Sequence, residues 1–219
     1  FALAVLKAAN SALYHRGDKE IVSLNRAITF LGLSGLLRIA TTLLMAKVIP
    51  SKPIYYIMFG KQIWLHCVHC ATLCELLAAK HDENVFDAYF LGLIHDLGKV
   101  IVFDCLSHAL AEELSSLPGT TVFKKLMTEM SVSISYLIAI EWKLPKIYCE
   151  ALKEQQTKPS SALAALLYKA NQLTELYLMV DKGIMSDAEC DKILTKNAID
   201  KSIWLEFTHK APEIENSII

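Results

Sequence analysis

Apolar residues recur along this chain at intervals of three and four, while sustained alternation of apolar with polar positions is nearly absent. The first period is that of a helix and the second that of a half-buried strand, so the pattern predicts an all-α protein. Phe86, Phe90, Leu93, Leu97 and Ile101 step by four, three, four and four, which draws one continuous apolar stripe. Leu163, Leu167, Ala170 and Thr174 draw another. Ser186 and Glu189 have the spacing of a capping box, in which hydroxyl and carboxylate satisfy backbone donors at a helix start.

Proline lacks the backbone N–H and clashes with the preceding turn, so it marks the breaks between helices. Pro50 and Pro53 bracket a linker, Pro118-Gly119 a turn, and Pro145 and Pro159 helix boundaries; Gly32 and Gly35 flank the entry to an apolar segment, Leu33 to Ile49. These breaks predict a small N-terminal helical module over residues 1–50, with a loop at Arg16-Gly17-Asp18-Lys19-Glu20. A multi-helix bundle over residues 51–219 follows, and its part after residue 182 is a C-terminal helical extension. The chain opens directly on helical sequence, which leads to the expectation that further residues of the first module precede it.

Composition sharpens this picture. Apolar residues make up 53% of the chain and the mean hydropathy is +0.35, enough for a large buried core and for an apolar surface that would favour a partner or a homodimer. Twenty-two basic residues against twenty-three acidic ones leave a net charge of −1, with no long basic run, which argues against a nucleic-acid binder. Leu33 to Ile49 carries Arg38 and Lys47 and falls short of the roughly 20 apolar residues that cross a bilayer. It is read as a buried helix rather than a membrane span, and Phe1 to Lys7 is too short and too periodic for a signal peptide. Six cysteines in a helical chain of this size read as buried free thiols in a reducing cytoplasm.

The strongest local signal for chemistry is Leu93-Ile94-His95-Asp96-Leu97-Gly98-Lys99. An imidazole and a carboxylate on consecutive helical positions point about 100° apart, so both reach one metal only if other helices supply further ligands. Trp64-Leu65-His66 offers such a partner, and Lys99 would stand one turn after His95, placed to steady a phosphate. A divalent ion held there would acidify a bound water. Taken alone, a His-Asp pair is equally a hydrogen-bonded polar contact between helices. Cys67, Cys70 and Cys74 fall at i, i+3 and i+7, a core stripe, and no second ligand pair follows to make a zinc site. His15, His81, His108 and His209 have no spaced partners and read as surface or capping residues, while Trp64, Trp142 and Trp204 read as packing anchors. Phosphate-cradling glycine loops and nucleophile elbows are absent from the sequence.

Several segments together resemble one family. Leu6-Lys7-Ala8-Ala9-Asn10-Ser11-Ala12-Leu13-Tyr14, Ala27-Ile28-Thr29-Phe30-Leu31-Gly32, Trp64-Leu65-His66, Gly92 to Lys99 and Glu141-Trp142-Lys143-Leu144-Pro145 follow the order of the HD-related output domain (HDOD). The resemblance runs from residue 3 to about residue 175. It implies an HD-like helical bundle, similar to metal-dependent phosphohydrolases whose ligands are a His, a His-Asp pair and a distant Asp. His66, His95 and Asp96 match the first three, and Asn171, after Ala170, stands where the last carboxylate belongs. Ser131 and Gln155-Gln156 stand where many relatives have histidines, so a second metal is not expected.

The implied function is a cytoplasmic bacterial signal-transduction domain with a degenerate metal site and no catalysis, acting on other signalling proteins or domains or binding a nucleotide. No cofactor is expected beyond a single divalent ion (Mn, Fe or Zn) at low occupancy. The alternative is a phosphohydrolase acting on a nucleotide or cyclic dinucleotide, with the metal on His66, His95, Asp96 and Asn171 and with Lys99 orienting the phosphate.

Overall fold

The computed structural model describes residues 2–11, 20–47, 54–113 and 120–218. His15, the loop residues from Arg16 to Lys19, Pro50, Pro53, Pro118-Gly119 and the end of the Leu33 to Ile49 segment lie outside them, as does the side chain of His108. The described residues form helices and no strands, in agreement with the apolar period: α1 (Ala2–Asn10), α2 (Leu24–Ala46), α3 (Ile54–Lys80), α4 (Val85–Ile94), α5 (Leu97–Glu113), α6 (Thr120–Glu141), α7 (Lys146–Lys153), α8 (Ala162–Asp181), α9 (Asp187–Lys196) and α10 (Lys201–Ile218). A 3-10 turn, Glu154–Gln156, follows α7. The chain divides into two compact units, Ile49–Thr174 and a second made of Phe1–Val48 with Glu175–Ile219.

In the second unit, α1 and α2 pack through Val5, Ala9, Ala27 and Ile39. Asn10 fixes the return of the chain: its Nδ2 donates to the Ile21 carbonyl (2.8 Å) and its Oδ1 accepts from the Ile21 N–H (2.7 Å). This two-way bond gives a physical reason for the Asn in that segment. The helix α2 is broken at Gly32, whose backbone (φ 65°, ψ −176°) is open to glycine almost alone. The rest of α2 corrects the expectation of a buried helix. Leu33 is 72% exposed and Leu44 62%, because apolar residues lie all around α2 whereas the nine residues of α1 cover one face. By length and composition both α2 and the stretch Gly60–Lys80 would suffice to cross a membrane, but α2 carries Arg26 and Arg38, and Gly60–Lys80 is mostly buried within its unit. Further on, the Ser186 capping box forms as predicted at the start of α9. Tyr177 packs edge-on against Phe207 and its hydroxyl donates to Glu215. Pro212 sits inside α10, a place where proline does not mark a break.

The unit Ile49–Thr174 is built around α3, which is buried without interruption from His66 to Cys74. Cys67, Cys70 and Cys74 are free and buried, as the stripe predicted. Cys149 and Cys190 are buried too, whereas Cys105 is exposed, which corrects the expectation that all six would be buried. Leu73 and Leu77 on the same helix each contribute roughly 1.5–3 kcal/mol through burial. Asn84 caps α4 by accepting the Asp87 N–H, and Asp87 in turn accepts a 2.6 Å bond from the Tyr148 hydroxyl on α7. The motif Glu141 to Pro145 ends α6: Lys143 takes a positive φ, the Leu144 N–H reaches back to the Ala139 carbonyl, and Pro145 then caps α7. Trp142 sits at that helix end and is 44% exposed, so it is not the packing anchor expected of it; Trp64 is buried.

The predicted single stripe from Phe86 to Ile101 is also corrected. The chain turns at His95-Asp96, α4 ends at Ile94, and Ile101 lies 38% exposed on a new helix. Two close approaches flank the turn. A Cβ at Gly92 would lie 2.6 Å from the Ala71 Cα on α3, and one at Gly98 would lie 2.7 Å from the Ser135 N on α6 and closer still to the Ser131 carbonyl. The Gly98 N–H also donates to the Ser135 hydroxyl (2.9 Å). Gly98→Ala is therefore expected to lower the unfolding free energy by at least about 2 kcal/mol in a urea titration, since α6 meets the added methyl with backbone atoms that cannot yield. A loss under about 0.5 kcal/mol would contradict this packing.

Candidate metal centre

Three buried side chains meet where α4 gives way to α5. His66 comes from the buried stretch of α3, and His95 and Asp96 from the turn itself. One potential ligand atom from each lies within 4.8 Å of the others. His66 Nε2 is 3.3 Å and His95 Nε2 3.5 Å from the same carboxylate oxygen, Asp96 Oδ2, and the two imidazole centroids are 5.4 Å apart. Lys99, in the first turn of α5, places its ammonium on that same oxygen. The backbone bond from Lys99 N to Asp96 O (2.9 Å) forms the turn that delivers it.

The tautomer of His95 follows from its partner. Its Nδ1 lies 2.7 Å from the Gly92 carbonyl, which can only accept, so Nδ1 carries the proton. Its Nε2 then faces the centre with a lone pair and no hydrogen-bond partner. A buried lone pair facing a carboxylate oxygen favours a cation between them.

Asn171 reaches the same place from α8, its Oδ1 3.0 Å from His66 Nε2. The start of α8 is fixed by Glu154, whose Oε2 accepts from the Ser160 and Ser161 N–H groups; these bonds hold the carboxyl below the usual carboxylate range. The structure thus brings His66, His95, Asp96, Lys99 and Asn171 together, although sequence spacing alone linked only His95, Asp96 and Lys99.

Around them, Ser131 is buried in α6 beside Gly98, and Gln155 Nε2 donates weakly to the His95 carbonyl (3.4 Å). Gln156 points to Ser133 instead. His81 and His209 are exposed. The Gly92 carbonyl and Ser135, which orient His95 and the α5 start, carried no signal in the sequence, because a backbone acceptor and a common serine have no motif.

Two imidazoles, one carboxylate oxygen and a neutral amide oxygen at these separations fit a single divalent ion, the bare His95 Nε2 above all. His66, His95 and Asp96 would hold it, with Asn171 as a neutral fourth ligand. Bound there, such an ion would supply Lewis acidity toward a water molecule.

Asp96 dominates the electrostatics. Burial pushes its carboxyl up, but the attraction of His95, Lys99 and His66 in their charged forms, with the Lys99 hydrogen bond, outweighs burial and lowers it to about 2. The folded value lies below the unfolded one of about 4, so this group's contribution is complete above pH 4 and lost as pH falls toward 2. Wild-type protein is expected to lose about 2 kcal/mol of unfolding free energy over that window beyond what Asp96→Asn loses. Parallel acid profiles for the two proteins would contradict it. The Cys67 thiol, beneath the same site, is pushed far up by burial, then by Asp96, and stays protonated.

The HDOD domain model matches residues 1–158. Among solved structures, the chain is similar over its whole length to a protein of Shewanella amazonensis SB2B provisionally named a metal-dependent phosphohydrolase (TM-score 0.69, 19% identity, 80% of that chain covered). It is also similar over 99% of its length to an HDOD domain protein of unknown function from Geobacter sulfurreducens (TM-score 0.64, 19% identity, 80% of that chain). A Marinobacter aquaeolei VT8 protein, provisionally named a signal transduction protein, matches over 99% of this chain and 51% of its own (TM-score 0.63, 17% identity). No curated protein matches the chain. At these identities the likeness shows the fold.

Proposed function

The chain belongs to the HDOD family, and on that premise we propose that it is a non-catalytic signal-transduction domain in which an HD-type metal site survives in part. One observation carries the reading: the fourth group around His66, Asp96 and His95 is the neutral amide of Asn171, so one carboxylate balances the site, and Lys99 already neutralises it. A divalent ion held by one carboxylate beside an ammonium meets far less negative charge than hard cations require.

Such a domain acts through contacts with other signalling proteins or domains in the bacterial cytoplasm, or by holding a nucleotide without turning it over. The exposed apolar side chains of α2, Leu33, Leu37 and Leu44 among them, support a role in protein contacts, a homodimer included.

The bare Nε2 of His95 favours a second reading, a phosphohydrolase acting on a nucleotide or cyclic dinucleotide with Lys99 orienting the phosphate. The two are separated by assaying protein purified without chelator, with Mn2+ added, against a generic phosphodiester and a cyclic dinucleotide. Rates equal to those of His95→Ala are expected. Turnover that disappears in His95→Ala would establish the phosphohydrolase instead.

A further inference from the structure

We propose that Lys99 is the resident cation of this site, and that a divalent ion binds Asp96 only by displacing it. The inference deepens the non-catalytic reading and rests on it.

The geometry is one of shared occupancy. Three groups converge on a single oxygen, Asp96 Oδ2: His66 Nε2, His95 Nε2 and the Lys99 ammonium. An ion placed between both imidazoles meets that oxygen, the one Lys99 holds. The asymmetry in burial shows how the exchange would proceed. The Asp96 side chain is 7% exposed and cannot follow its partner into water, whereas Lys99 is 33% exposed and can turn its ammonium out without moving the α5 backbone.

Charge then sets the order of affinities. With neutral imidazoles and the Asn171 amide, Asp96 and Lys99 close the site at zero net charge. Adding a divalent ion while Lys99 stays would leave two uncompensated positive charges in a buried place, which low dielectric penalises heavily. Without the Lys99 charge the excess falls to one, and Asn171→Asp lowers it by one more. Mn2+ affinity is therefore expected to rise from wild type to either single variant and again in the double variant, Lys99→Met with Asn171→Asp.

The test is the melting temperature of wild type, Lys99→Met and Lys99→Gln at neutral pH, in chelator and in excess Mn2+, with bound manganese counted after desalting. Wild type is expected not to respond. Both variants should melt several degrees lower in chelator, because the buried carboxylate loses its counter-charge, and should recover in Mn2+ with about one ion per chain. Lys99→Gln keeps a hydrogen-bond donor for Oδ2 and carries the test if Lys99→Met fails to fold.

Variants that respond to Mn2+ no more than wild type would overturn the proposal. So would a wild type that takes up Mn2+ as fully as the variants. If that loaded wild type also hydrolyses a phosphodiester, the non-catalytic reading falls with it. If wild type is silent and inactive and the variants are silent too, only the role assigned to Lys99 falls.

Discussion

A carboxylate taken out of water must be matched by positive charge or strong hydrogen bonds, or it will not stay ionised. Asp96 is that carboxylate, and the unit Ile49–Thr174 is arranged to match it. His66 arrives from the most buried stretch of the central helix, His95 precedes Asp96 in the turn, and Lys99 follows one turn later. Removing Asp96 or Lys99 leaves the other facing an unbalanced charge, and both imidazoles meet the same carboxylate oxygen, so deletions within the cluster will not add.

The backbone around Asp96 is held from both sides. Gly92 lets α4 lie directly on Ala71 of α3, and Gly98 lets α5 start against the Ser131 and Ser135 backbone of α6. The Gly92 carbonyl, one turn before His95, bonds its Nδ1, which fixes the ring and aims its other nitrogen at the site. Tyr148 on Asp87 and Glu154 on the Ser160 and Ser161 amides then anchor α4 and the start of α8, so that Asn171 meets His66. Packing between helices and orientation of the polar groups are therefore one construction. Asn171 completes that construction from α8 through its hydrogen bond with His66.

Much of this was legible in the sequence. The three-and-four period gave the helical class, Ser186 with Glu189 gave a helix start, and the cysteine stripe gave buried thiols, because each depends on local spacing. The gathering of His66, His95, Asp96 and Asn171 came from family resemblance rather than spacing, since residues separated by up to 105 positions leave no local trace of their contact. The misreadings have physical causes as well. The Phe86 to Ile101 stripe keeps its period across a turn, because helical backbone lies on both sides of His95-Asp96, while Gly92 and Gly98 on either side of the break lie against other helices. The segment from Leu33 is apolar enough to predict burial, yet burial depends on what packs against it, and α1 covers one face. Trp142 is a large aromatic that the α6 cap leaves half in solvent.

The claim at the centre of this structure is that Asp96 is balanced from within the chain. Elemental analysis of protein purified without chelators addresses it most directly. We expect far less than one manganese, iron or zinc ion per chain, with no difference between wild type and Asp96→Ala. One ion per chain in wild type, lost in Asp96→Ala, would contradict it and show that the partner of this carboxylate is a metal.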